Sequence, residues 1–76
     1  MTPRLSRITA REARAALGRA GFVESRQSGS HLILKNEHGC RVTLPMHGPT
    51  VLKLALLRAI LRDAGLTTEQ FVALLR

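Results

Sequence analysis

The chain has 76 residues, 45% of them apolar but only two aromatic, Phe22 and Phe71, and twelve Lys and Arg against five Asp and Glu give it a formal net charge of +7. A single domain of this size buries only roughly 60% of its unfolded surface, so a deep substrate cavity is excluded and function belongs on an exposed face or a shallow groove. An apolar fraction of 45% argues against disorder, and a lone cysteine, Cys40, excludes an intramolecular disulfide and a cysteine-based metal cluster.

Ten of the twelve cations are Arg, the planar, permanently charged fork suited to phosphate. Such a charge density points to a polyanion as partner, with the salt dependence of counterion release; the competing reading is a merely solubilising surface. Met1 to Ile8 carries no apolar run of signal-peptide length, and no stretch approaches the ~20 apolar residues that cross a membrane. The expectation is a soluble, cytoplasmic protein without a membrane partner, forming one domain over residues 1–76 in which 1–7 are flexible.

Thr9-Ala10-Arg11-Glu12 fits a capping box and opens a helix predicted to run to about Ala20. Ala13, Ala16, Leu17 and Ala20 follow the spacing of one buried stripe, with Arg11, Arg14 and Arg19 opposite. Gly21 stands where a left-handed residue ends a helix. Strands are predicted over Phe22 to Gln27, His31 to Asn36 and Arg41 to Pro45. Ser28-Gly29 is the expected tight turn between the first two, and Glu37-His38-Gly39 suits a type I turn closed by a left-handed bulge.

If Asn36 pairs with Cys40, Leu34 lies beside Val42 and Leu32 beside Leu44, and these four form the core face. Period-two alternation then puts His31, Ile33, Lys35, Arg41 and Thr43 on the other face. Lys35 directly opposes Arg41, which is unfavourable unless an anion bridges them. Met46 to Thr50 reads as a loop broken by Gly48-Pro49.

A second helix is predicted over about Val51 to Ala64, with Leu57, Ile60, Leu61 and Ala64 as its core stripe. Leu52, Ala55, Leu56 and Ala59 make another apolar strip, either wedged between elements or covered by a partner. Gly65 ends that helix. Thr67-Thr68-Glu69-Gln70 offers a second capping box for a short helix through Phe71, Leu74 and Leu75. The class is α+β, in the order α-β-β-β-α-α, with helices on one face of a three-stranded antiparallel sheet.

His31 is the chemically informative residue. Imidazole can give or take a proton at cellular pH, and here it stands at the mouth of a hairpin among cations. Two readings are open: a proton carrier acting on a phosphate-bearing substrate, or a surface histidine in a turn. Ser30 and His31 are not a nucleophile pair, because strand neighbours point to opposite faces. No Asp is spare to orient the imidazole, since Asp63 falls in the second helix among arginines. His31, His38 and His47, with Cys40, lack the paired short spacing of a zinc site, and no metal or cofactor is expected. His38 reads as an exposed hairpin tip, and His47 as a substrate contact or loop packing.

RNA cleavage fits such a surface. The ribose 2′-hydroxyl is the internal nucleophile, so the protein need supply only proton transfer and positive charge on the phosphate. Arg26, Lys35 and Arg41 are the candidate phosphate contacts. Gly29 would let a phosphate approach the backbone closely, and Ser30 would shape the turn.

The runs Ala20-Gly21-Phe22-Val23, Gly29-Ser30-His31-Leu32 and Arg41-Val42-Thr43-Leu44-Pro45-Met46-His47 are followed by Leu57-Arg58-Ala59-Ile60-Leu61-Arg62-Asp63-Ala64-Gly65-Leu66 and Glu69-Gln70-Phe71. Together, and in this order, they closely resemble the HicA toxins, also called the YcfA-like family. The resemblance covers nearly the whole chain from about Ile8. Its specificity lies in the combination of the glycine-phenylalanine, glycine-serine-histidine and proline-x-histidine blocks.

The resemblance implies a double-stranded-RNA-binding-domain-like α-β-β-β-α fold and metal-independent ribonuclease activity against mRNA. It also implies a bacterial or archaeal toxin–antitoxin pair in which a HicB-type antitoxin covers the active face, and it aligns the family's catalytic histidine with His31. Ala55-Leu56 depart from the Gly-Thr pair usual at the entry to the second helix. A hydroxyl is lost there and apolar surface gained, which bears on substrate contacts and on the antitoxin or self-association surface. The resulting expectation is an mRNA endoribonuclease toxin, monomeric when free, with Leu52 and Leu56 facing a protein partner. The alternative is a module of the same fold that holds structured RNA without cutting it.

Overall fold

A computed structural model describes residues 7–46 and 51–75. Six elements follow one another: α1 (Ala10–Arg19), β1 (Val23–Ser28), β2 (His31–Lys35), β3 (Arg41–Pro45), α2 (Leu54–Ala64) and α3 (Thr68–Leu74). The α+β class and the element order are those predicted. Apart from Arg7, the terminal segment expected to be flexible lies outside the described residues, as does His47.

Both predicted capping boxes form. The Thr9 hydroxyl accepts from the Glu12 amide at 3.1 Å while the Glu12 carboxylate accepts from the Thr9 amide at 2.9 Å, so two of the donors orphaned at a helix start are satisfied. Thr67 and Gln70 repeat the exchange at the start of α3, at 3.1 and 2.9 Å. Arg19 donates to the Leu74 carbonyl at 2.6 Å, giving the last turn of α3 a partner on α1.

The strands form one antiparallel sheet in the order β1-β2-β3. Leu32 pairs with Leu44, Leu34 with Val42 and Lys35 with Arg41, the register set by the β2–β3 loop. That loop is held from within: the Asn36 side-chain oxygen accepts from the His38 and Cys40 amides at 3.0 and 2.8 Å, and Gly39 takes the positive φ of 85° that closes it. The four leucine and valine side chains are nearly inaccessible and join Leu17 of α1, Leu57, Ile60 and Leu61 of α2 and Phe71 of α3 in one core. The sheet therefore has a covered face and an open one.

Two predicted boundaries shift, and one strand carries an unpredicted irregularity. Ser28 pairs with His31, so the two-residue turn is Gly29-Ser30 and not Ser28-Gly29. β1 carries a bulge between Glu24 and Arg26, which alternation alone did not anticipate. The second helix begins at Leu54 instead of Val51, because Val51 forms a bridge with Thr9 and the Leu52 amide donates to the Ile8 carbonyl at 2.8 Å. This pairing draws 51–52 into extended backbone against the segment before α1.

Candidate functional site

The open face of the sheet is built by the pairing. Residues directly opposite one another in an antiparallel pair share a face, so Ser28, His31 and Pro45 form one row, Arg26, Ile33 and Thr43 the next, and Lys35 with Arg41 the last. Arg26 owes its place to the bulge. Glu24 opposes Leu34 on the core face, and strict alternation from it would turn Arg26 inward. The extra residue resets the count, so that Arg26 opposes Ile33.

His31 stands at the start of β2, exposed, directly after the Gly29-Ser30 turn. Gly29 has φ of 60°, a region that side-chain-bearing residues enter only with strain. A Cβ there would meet nothing within 4 Å, so the conformational requirement of the turn, not lack of room, calls for glycine. The Gln27 side chain donates to the Gly29 carbonyl at 3.3 Å, and the Met46 amide donates to the Ser30 carbonyl at 2.5 Å. These bonds tie the turn to β1 and to the end of β3, and so fix the backbone that carries the imidazole.

The cations are spaced along this face rather than crowded on one point. Arg26 is the diagonal neighbour of His31, roughly 7–8 Å away between Cα atoms. Lys35 and Arg41 lie four residues further along the strands, about 13 Å from the histidine at 3.3 Å per residue. Lys35 and Arg41 are exposed and directly opposed, a like-charge pair that an anion between them would relieve. Arg14, by contrast, is engaged in an ion pair with Glu24.

A groove of about 320 Å³ runs beside the histidine, lined by His31, Thr43, Pro45, Leu56, Ala59, Ile60 and Asp63. Its far wall is α2, which lies against β3. Leu56, Ala59, Ile60 and Asp63 reach it because they recur at i, i+3, i+4 and i+7, one stripe of a helix. Asp63, a helix residue among arginines by its sequence neighbours, is corrected by the structure: it lines the same groove as His31. The i+7 spacing from Leu56 was the available signal.

Of the two residues expected to face a partner, Leu56 is 39% exposed and Leu52 only 4%. Leu52 is corrected from the surface strip to the core, since it precedes α2 and packs inward beside the Ile8 pairing. Among the described residues, the other exposed large apolar side chains are Val23, Val51 and Leu54. Among the described residues, no group of three or more His, Cys, Asp or Glu is placed to hold a metal ion, and no helix is long and apolar enough to cross a membrane.

No curated protein matches the chain closely enough to count as a relative. The family model described as the HicA toxin of bacterial toxin–antitoxin matches residues 10–66. That span runs from the first residue of α1 to just beyond α2, and so contains the whole sheet, the turn before His31 and both walls of the groove. The chain therefore belongs to the HicA toxin family, the toxins of toxin–antitoxin systems.

Proposed function

We propose that this toxin is an endoribonuclease that cuts mRNA in the cytoplasm without a metal ion and is silenced by a HicB-type antitoxin. The observation that carries the reading is the position of His31: exposed, at the end of a strand, on the open and cationic face of the sheet, and at the edge of a groove. The 2′-oxygen of the ribose attacks the adjacent phosphorus, and His31 carries one of the two proton transfers. A placed histidine is worth about 10²–10⁴ in rate for such a step.

Arg26, the diagonal neighbour of His31 across the strand pair, meets the scissile phosphate, while Lys35 and Arg41 hold a phosphate further along the strand. Gly29 and Ser30 keep the histidine in place through the turn. Leu56, on the groove wall, is the point at which the antitoxin covers the site and excludes RNA.

Purified protein is expected to degrade mRNA in the presence of excess EDTA, and co-expression of the antitoxin is expected to abolish this. RNA binding without any strand scission would instead identify a non-catalytic RNA-holding module. The same preparation reports on the cations. Changing Lys35 and Arg41 together to Gln removes two phosphate contacts, so the slope of log affinity against log salt flattens by about 1.4, at ~0.7 per phosphate on single strands. An unchanged slope would place the RNA elsewhere on the protein.

A further inference from the structure

Scission of RNA by its own 2′-hydroxyl moves two protons, one off the attacking 2′-oxygen and one onto the departing 5′-oxygen. One imidazole serves one of these at the moment of reaction. We infer that Asp63 is the second proton-transfer group of this site, an assignment that rests on the ribonuclease reading above.

Three observations carry it. Of the seven residues that line the groove, His31 and Asp63 are the two that ionise; the others are apolar except for the Thr43 hydroxyl. The other acidic residues have local structural roles: Glu12 completes a capping box, Glu24 pairs with Arg14, Glu37 lies beside His38, and Glu69 occupies the first turn of α3. Asp63 has none of these among the described residues. It also stands in the last turn of α2, where the helix dipole disfavours a negative charge. A carboxylate at an unfavourable helix position, facing a groove that holds a histidine, is explained by chemistry better than by stability.

The roles follow from what each group has to offer. The Asp63 carboxylate accepts the 2′-hydroxyl proton as the 2′-oxygen forms its bond to phosphorus. The bond from phosphorus to the 5′-oxygen breaks, its electron pair goes to that oxygen, and the protonated His31 imidazole donates the proton that makes it a hydroxyl. The products are a 2′,3′-cyclic phosphate and a 5′-hydroxyl end. Asp63 is left protonated and His31 neutral, and exchange with water restores both. Arg26, the diagonal neighbour of His31, offsets the repulsion between the carboxylate and the phosphate.

The test compares ordinary RNA with an oligonucleotide whose scissile 5′-oxygen is replaced by sulfur, a leaving group that needs no proton. On ordinary RNA, His31→Ala and Asp63→Asn are each expected to be slowed about 10²-fold or more. On the sulfur substrate His31→Ala is expected to return to within about tenfold of the wild type, because the acid is no longer needed, while Asp63→Asn stays slow. Asp63 is exposed, so its variant is expected to keep the wild-type circular dichroism spectrum and thermal midpoint. Wild-type cleavage with an unimpaired Asp63→Asn overturns the assignment alone, and rescue of Asp63→Asn instead of His31→Ala overturns the division of roles, making Asp63 the acid and His31 the base. A wild type that cuts neither substrate overturns the ribonuclease reading and this assignment with it.

Discussion

Replacing His31 with Ala is expected to reduce mRNA cleavage by about 10²–10⁴-fold and to relieve the growth arrest caused by expressing the toxin, while fold and RNA affinity remain close to wild type. The selectivity of the effect is what makes it informative. His31 is exposed and outside the core cluster, and substitutions at such positions usually change stability by less than about 0.5 kcal/mol. In the proposed mode of binding, RNA affinity comes mainly from Arg26, Lys35 and Arg41, whose charges the substitution leaves untouched. Cleavage rate, electrophoretic mobility shift and thermal midpoint measured on one preparation separate the three quantities. A variant that cuts RNA at the wild-type rate would return His31 to the status of a surface histidine in a turn.

Phe71→Ala is expected to produce the largest loss of stability, about 3–5 kcal/mol, through lost burial and the cavity left behind. The seven-residue helix α3 is far too short to be stable alone. Phe71 is 0% exposed and belongs to the same core as Leu17 and Leu57, so its ring anchors α3 to the rest of the domain. The bond from Arg19 to the Leu74 carbonyl at 2.6 Å is a second, weaker tie. A chain of this length has a total stability of about 4–11 kcal/mol, so the variant is expected to lose a large fraction of it. Urea denaturation followed by far-ultraviolet circular dichroism measures the loss. A change below about 1 kcal/mol would mean that α3 lies outside the cooperative unit.

The most legible features in the sequence were those fixed by local chemistry. Both capping boxes are read from a hydroxyl and a carboxylate or amide three residues apart, and they form as expected. The β2–β3 register follows from a three-residue loop with Gly39 at its end, and with it come the open face and the exposure of His31. The bulge in β1 was not legible because every residue of that strand is exposed. Without buried side chains at alternate positions, no hydrophobic pattern marks where the register slips. Arg26 was nonetheless a sound candidate by type, and it is the bulge that turns it to the open face.

The start of α2 was misread for a different reason. Val51 and Leu52 continue the apolar spacing of the helix, but a tertiary contact with Ile8 and Thr9 outweighs that local preference. The same contact takes Leu52 into the core and leaves Leu56 as the exposed member of the expected pair. The sequence neighbours of Asp63, Arg62 among them, hide its place, because the residues that share its helix face are Leu56, Ala59 and Ile60. Helical spacing, applied to the polar residue as it was to the apolar ones, would have found the groove.

In the proposed reaction the ribose 2′-hydroxyl is the nucleophile, and the groove at the edge of the open sheet face, with His31 on its wall, supplies the proton transfers. Analysis of the ends of a defined RNA fragment cut by the purified protein tests this most directly. The expected products are a 2′,3′-cyclic phosphate and a 5′-hydroxyl, and a single 2′-deoxy substitution at the scissile nucleotide is expected to block cleavage there. A 5′-phosphate with a 3′-hydroxyl, or unimpaired cutting at the deoxy position, would show that water is the nucleophile and would overturn the proposed reaction.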